Sequence, residues 1–375
     1  MFIVERLIGV GIYFYFLAAV CLVIAFSDIR LKYITRAYTV ILAAMGFLYK
    51  PYITADLYRI NESLRQFSDY GFSRFYSIFV KDSSIPAARI FYWIIGKTGV
   101  SELLPALTCL IVYSSIFYIF VKSAEKYGTD RKSIAVTMFF IMSSGCYMMV
   151  ISNIRTMIAI SLICFCTYRE TVEKKYSVFN IILYIIAALS HNLSVIILAI
   201  RIAIIVLDKR KTLAKRILWL AVFAIGLAVI ALRFSYIFSS VFEKAISYIT
   251  EDGYSYIWDY IIAVLAFIVE ATALVYCMKK RKECPELTSN NNFLLLCLGL
   301  AVIFCYEFSI FHRLIIYISP VLSIPSLLFC LRSESGKKAL FGVMYYRDFV
   351  LLISVISMVI SCTRGSLCSL KFFEF

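Results

Sequence analysis

Two arginines and both histidines of the chain stand at the margins of apolar segments, where polar groups are costly and a functional use is the first reading. Arg155 follows Asn153 in N-I-R-T-M-I-A, and His191 lies between Ser190 and Asn192 in L-S-H-N-L-S. His312 and Arg313 open F-H-R-L-I-I-Y-I-S-P, with Glu307 about a turn and a half before them. Arg is the natural bidentate partner of a phosphate or diphosphate. Its other use at such a margin is to snorkel and anchor a helix at the head groups. A neutral His191 can take a proton from a sugar hydroxyl near neutral pH or donate a hydrogen bond to a phosphate; the alternative is a polar turn residue satisfied by Ser190 and Asn192. Arg313 is either a second cation for a diphosphate or part of a structural cluster with Glu307 and His312.

Carboxylates complete the set. Asp56, in T-A-D-L-Y-R with Tyr58 beside it, is a helix N-cap or, alternatively, a general base or sugar-binding carboxylate. Glu251 and Asp252, in I-T-E-D-G-Y, read first as a turn that Gly253 makes possible. Arg201 and Arg233 fall inside apolar runs and are expected to be interhelical. The two histidines and twelve cysteines show no metal-ligand spacing, so no metal and no cofactor is expected. G-K-T at residues 96–98 is not a phosphate loop, because Phe91 stands where the first glycine belongs.

These residues must be positioned by membrane helices. The 375 residues are 62% hydrophobic and 16% charged, with a mean hydropathy of +0.88; soluble domains carry about a quarter charged residues. Apolar runs approaching the roughly 20 residues of a bilayer crossing recur from end to end. They are continuous rather than alternating, which excludes a barrel. The expectation is a single all-α polytopic membrane domain over 1–375 with about twelve spans, ten to twelve being compatible. The run at 156–168 is short, so the backbone should break near Asn153, and the run 176–207 should turn at His191-Asn192. No cleavable signal peptide is expected, since the first run lacks a small-residue cleavage site.

The net charge of +15 is spread over short loops, without the aromatic-interleaved patch of a nucleic-acid binder. More than half of the 38 Lys and Arg fall in turns near 27–36, 122–132, 169–175, 208–216, 279–291 and 332–341, which assigns these turns to the cytoplasm. Both termini, a long outer loop at 51–102 and a second at 238–257 then face outwards. Asp56, Arg155, His191, Glu251, Asp252, Glu307, His312 and Arg313 all share that outer side. Within 51–102, the stretch P-A-A-R-I-F-Y-W-I-I reads as an amphipathic interfacial helix with an aromatic cluster.

The order of these features resembles the EpsG-like group of Wzy-type polysaccharide polymerases. Family members tend to show R-x-x-x-A, later H-x-S, and later still R-x-x-x-Y. Arg155 with Ala159, His191 with Ser194 (one residue late) and Arg313 with Tyr317 stand at the matching places, and Asp56-Leu57-Tyr58 resembles the family's D-x-x-Y-like outer element. The family's Arg and G-x-D ahead of that element are replaced here by Lys50 and T-A-D. The resemblance implies a GT-C-like membrane glycosyltransferase of the bacterial cytoplasmic membrane. It would join oligosaccharide units carried on undecaprenyl diphosphate at the outer face, with a chain-length regulator as a possible partner. On this reading Arg155 and Arg313 are expected on the diphosphate, His191 and Asp56 in catalysis, and Tyr58 and Tyr317 near the saccharide, together with Glu251, Asp252, Glu307 and His312, which are candidates because they share the outer side.

Two other classes compete. A flippase or transporter of lipid-linked or anionic cargo would place charge on both sides of a midplane site, often within inverted repeats; the asymmetry towards one face favours surface chemistry. A membrane O-acyltransferase would pair a His with a nearby carboxylate, and H-N-L-S-V-I contains none.

Overall fold

The computed structural model describes residues 2–52, 55–143, 146–207, 257–306, 308–332, 339–340, 344–363 and 370–372. The expected span at 217–237, Arg233, Glu251, Asp252 and Glu307 lie outside the described residues. The chain is an all-α polytopic membrane protein. Lipid offers no hydrogen-bond partners, so apolar segments satisfy their backbone by coiling into helices.

Helices α1 (Phe2–Phe26) and α2 (Leu31–Leu48) are followed by three shorter ones, α3 (Asp56–Ser68), α4 (Phe72–Phe75, continued by a π-helical turn over Tyr76–Val80) and α5 (Pro86–Thr98). Next come α6 (Leu103–Tyr127), α7 (Arg131–Ser143), α8 (Cys146–Ser152), α9 (Ile154–Thr171), α10 (Val178–Ser190) and α11 (Asn192–Leu207). The C-terminal part contributes Ile257–Lys279, Thr288–Ile303, the run Phe308–Arg332 with a π-helical segment at Arg313–Ile318, and Tyr346–Thr363. A two-residue antiparallel ladder pairs Ala339–Leu340 with Met344–Tyr345.

Among the described residues, 7 helices are long and apolar enough to cross a membrane, fewer than the about twelve spans expected. The two counts do not cover the same residues. The expected span at 217–237 is not among the described residues, residues 144–145 within the run at 133–151 are not described either, and the described parts of α10 and α11 have 13 and 16 residues. A count of apolar runs does not distinguish a full crossing from a broken or short helix.

Helices α6, α9 and Ser319–Arg332 pack on one another at the centre. The most apolar stretch of Ile310–Arg332 is wholly enclosed by other helices. The turns sort to two ends. At one, Arg131 Nη2 donates to Ile29 O at 2.9 Å, Lys126 Nζ donates to Val172 O at 3.0 Å, and Lys126 pairs with Glu286 at 3.7 Å. These contacts join the basic turns near 27–36, 122–132, 169–175 and 279–291. At the other end Lys50 pairs with Glu102 at 3.5 Å, and its backbone N–H donates to Lys371 O at 2.9 Å.

The segment 51–102 is a compact helical layer. Phe67, Phe75, Phe79 and Trp93 form its aromatic centre, with Phe67 and Phe79 ring centroids 4.8 Å apart and Trp93 stacked 5.7 Å from Phe75. Trp93 Nε1 donates to Tyr70 O at 3.1 Å. Gly96 brings α5 against α3, where a Cβ would stand 2.6 Å from the Leu64 carbonyl oxygen. The G-K-T sequence closes α5: Lys97 Nζ donates to Ser68 O at 2.6 Å, and Gly99 takes the left-handed conformation (φ 71°) that ends a helix.

Candidate functional site

The site is built around the junction of α8 and α9. Asn153 leaves the helical path with φ −102° and ψ 49°, the break expected from the short apolar run. Its side chain does not cap α9; Nδ2 donates instead to Ser152 Oγ at 3.2 Å and approaches Met149 Sδ at 3.6 Å. Arg155 therefore stands in the first turn of a helix whose amino end carries partial positive charge and lacks a side-chain cap from Asn153. It is half-buried, and no hydrogen bond or ion pair engages its guanidinium among the described residues. Glu170, in the last turn of α9, is about 22 Å away along the helix and does not balance it.

The 51–102 layer closes over this junction. Helix α3 packs against α8, and α5 packs against α3 and α10. Arg89 and Tyr92 of α5 share one helix face at i, i+3 spacing, and both lie within electrostatic reach of Arg155. Burial and then the neighbouring Arg155 lower the proton affinity of Arg89, while its Nη1 donates to Phe79 O. Tyr92 is buried, 5% exposed, and its hydroxyl has no hydrogen-bond partner among the described residues. Burial raises the Tyr92 phenol; Arg155 opposes that shift and Asp56 adds to it.

Asp56 opens α3, with Ala55 rather than Asp56 in the N-cap position. It is exposed and pairs with Arg59 at 2.7 Å. Tyr58 is half-buried two residues on. Asp56 thus belongs to the electrostatic surroundings of Tyr92 and Arg155, in a solvated setting.

His191 is the turn between α10 and α11, in extended backbone with φ −157° and ψ 135°. Its Nδ1 accepts from the Leu193 N–H at 3.1 Å, which caps α11. A neutral ring that accepts at Nδ1 carries its proton on Nε2, so that edge of His191 is a donor. Ser190 and Ser194 on either side are buried.

The third motif reaches the same junction through the π-helical segment Arg313–Ile318, which packs against α8 and α9. Tyr317 Oη lies 3.0 Å from Met149 Sδ, so Tyr317 and Asn153 meet on one methionine. His312 is buried, and its ring stands edge-on to Tyr317 with centroids 5.6 Å apart. Arg313 is half-buried. Tyr317 and His312 are buried side chains of the bundle.

Arg155, Asp56 and the segment carrying Arg313 and Tyr317 are therefore drawn to one junction, and α10, which ends at His191, packs on α9 and α5 beside it, whereas Glu251, Asp252 and Glu307 fall on residues that are not described. Arg89 and Tyr92 were not singled out from the sequence, although a basic and a phenolic residue three apart on the amphipathic helix were a usable signal. Arg201, expected to be interhelical, pairs at 3.4 Å with Glu170 near the far end of α9.

No curated protein and no solved structure matches the chain. The EpsG family model matches residues 89–366, which includes Arg89, Tyr92, Arg155, His191 and Arg313 but not Asp56 or Tyr58. The match spans well over half of the sequence, and the chain belongs to the EpsG family, a family of Wzy-like polysaccharide polymerases.

Proposed function

We propose that the protein is a Wzy-type glycosyltransferase that joins oligosaccharide units carried on undecaprenyl diphosphate at the outer face of a bacterial cytoplasmic membrane. The observation that carries this reading is Arg155: a half-buried guanidinium without an ion pair among the described residues, at the amino end of α9 and under a helical layer that shields it. Such a group favours an anion, and the reaction has one. An acceptor hydroxyl attacks the anomeric carbon of the donor chain; the new C–O bond forms as the anomeric carbon–phosphate oxygen bond breaks. Undecaprenyl diphosphate leaves with the bonding electron pair, and the hydroxyl proton passes to a base or to the departing phosphate. Positive charge held at the leaving group stabilises the transition state. Arg155 supplies it, with Arg313 as a second cation on the packed π-helical segment. His191 contributes the Nε2–H as a donor to phosphate or sugar, and Asp56 and Tyr58 border the acceptor side. The undescribed Glu251, Asp252 and Glu307 remain saccharide-binding candidates of this reading. A GT-C-like arrangement, an outward-facing site and a chain-length regulator as partner belong to the same reading.

The test is Arg155→Ala and Arg155→Lys in cells. Loss of long-chain polysaccharide in the Ala variant, with normal amounts of protein in the membrane, is expected. Normal chain lengths overturn the reading, and failure of lipid-linked units to reach the outer leaflet replaces it with a transporter.

A further inference from the structure

We infer that Arg89 and Tyr92 of α5 complete, with Arg155, a binding site for a phosphate-bearing anion, Arg89 as a further cation beside Arg155 and the Tyr92 hydroxyl as a hydrogen-bond donor. The inference rests on the reading of Arg155 as an anion-binding residue and adds two residues to it.

Three observations lead there. Arg89 and Arg155 are both half-buried; the layer that carries Arg89 packs on the junction through α3 on α8 and α5 on α10, which itself packs on α9, and after burial Arg155 is what disfavours the charge of Arg89. Two like charges brought together with no carboxylate paired to either of them among the described residues store repulsion. Asp56 is engaged by Arg59 at 2.7 Å, and Glu170 is occupied by Arg201 at 3.4 Å. A bound dianion relieves that repulsion. The second observation is the Tyr92 hydroxyl, buried with no hydrogen-bond partner among the described residues. A buried hydroxyl left unsatisfied costs free energy, and an acceptor placed between Tyr92 and the guanidiniums removes that cost. The third is the amino end of α9, which Asn153 does not cap with its side chain, so that its backbone donors and partial positive charge favour the same ligand. Two forks and one phenol around a helix end match the several oxygens of a phosphate or diphosphate.

The ligand chemistry has two sources, a lipid-linked diphosphate or the head group of an anionic phospholipid. The full-length protein in discs of neutral phosphatidylcholine is titrated with inorganic pyrophosphate by calorimetry, and the titration is repeated in discs containing phosphatidylglycerol. Wild type and the remote control Lys280→Ala are expected to bind alike. Arg89→Lys and Tyr92→Phe, which keep volume and fold, are each expected to weaken binding about tenfold, from loss of a fork and of a charge-assisted hydrogen bond; Arg89→Ala and Arg155→Ala are expected to abolish it. Affinity unchanged by phosphatidylglycerol assigns the site to a diphosphate, and competition by it assigns the site to the head group. Wild-type binding retained in Arg89→Ala and Tyr92→Phe but lost in Arg155→Ala overturns the inference and leaves the role of Arg155 standing. Absence of pyrophosphate binding by the wild type also overturns it, while normal polysaccharide in cells carrying Arg155→Ala removes the functional reading beneath it.

Discussion

Tyr317 Oη lies 3.0 Å from the sulfur of Met149, one turn before Asn153, and this contact ties the H-R-L-I-I-Y segment to the helix junction that presents Arg155. Two motifs about 160 residues apart in the chain thereby share one joint. The π-helical register of Arg313–Ile318 sets the direction of both Arg313 and Tyr317, and such segments recur at functional sites. Tyr317→Phe removes the contact while leaving the ring in place. Its expected effect is shorter polysaccharide chains with little change in thermal unfolding, read from chain-length distribution and a melting curve of the same protein. Met149→Leu, which keeps volume and removes the acceptor, should reproduce the effect.

Gly96 is where α5 meets the backbone of α3. A Cβ there would stand 2.6 Å from the Leu64 carbonyl oxygen, an atom that cannot rotate aside. Gly96→Ala is expected to push α5 outwards, displacing Arg89 and Tyr92, and to lower polymerisation by about a hundredfold, as small misplacements of positioning groups do. Gly71→Ala in the same layer, where a Cβ meets nothing within 4 Å, should retain normal chain lengths. Equal activity of the two variants would falsify the role given to this packing.

His191 has a structural duty and a proposed chemical one, and a single substitution separates them. Asn keeps an acceptor for the Leu193 N–H, and so the cap of α11, but lacks the Nε2 donor. His191→Asn is expected to accumulate normally in the membrane and to lose about tenfold in chain elongation, the value of one hydrogen bond to a charged group. Normal elongation would reduce His191 to a capping residue.

The far end of α9 should respond differently. Glu170 and Arg201 are buried and pair at 3.4 Å, and Glu170 also accepts from Asn180 Nδ2 at 3.4 Å and Tyr184 Oη at 3.1 Å. Removing one partner leaves a buried charge uncompensated. Glu170→Ala or Arg201→Ala is therefore expected to cost about 3–5 kcal/mol of stability. Replacing both residues by apolar ones of similar volume should restore much of it. Thermal unfolding in detergent measures this, and chain length per folded molecule should stay at the wild-type value.

What the sequence alone determined about this protein is what local composition controls. An apolar run in lipid must become a helix, because no other conformation satisfies its backbone there, so the helices of the described residues were legible. So was the break at Asn153, because residues 156–168 are too short for an upright crossing. The turn at His191 was legible from a run too long for one helix. Short motifs added the family, since Arg155, His191 and Arg313 keep their order and approximate spacing along the chain.

The tertiary structure decided which of those residues meet and how many helices are long enough to cross. Arg89 and Tyr92 are more than sixty residues from Arg155 in sequence and come within its electrostatic reach only when α3 packs on α8 and α5 on α10; no local pattern encodes that approach. The same holds for Met149 with Tyr317. His191 was open to a base or a donor role from its neighbours, and the Leu193 N–H that its Nδ1 accepts was not legible from them. Helix formation follows from each segment's own transfer from water, whereas the site depends on side-chain packing between segments, which is a property of the folded bundle.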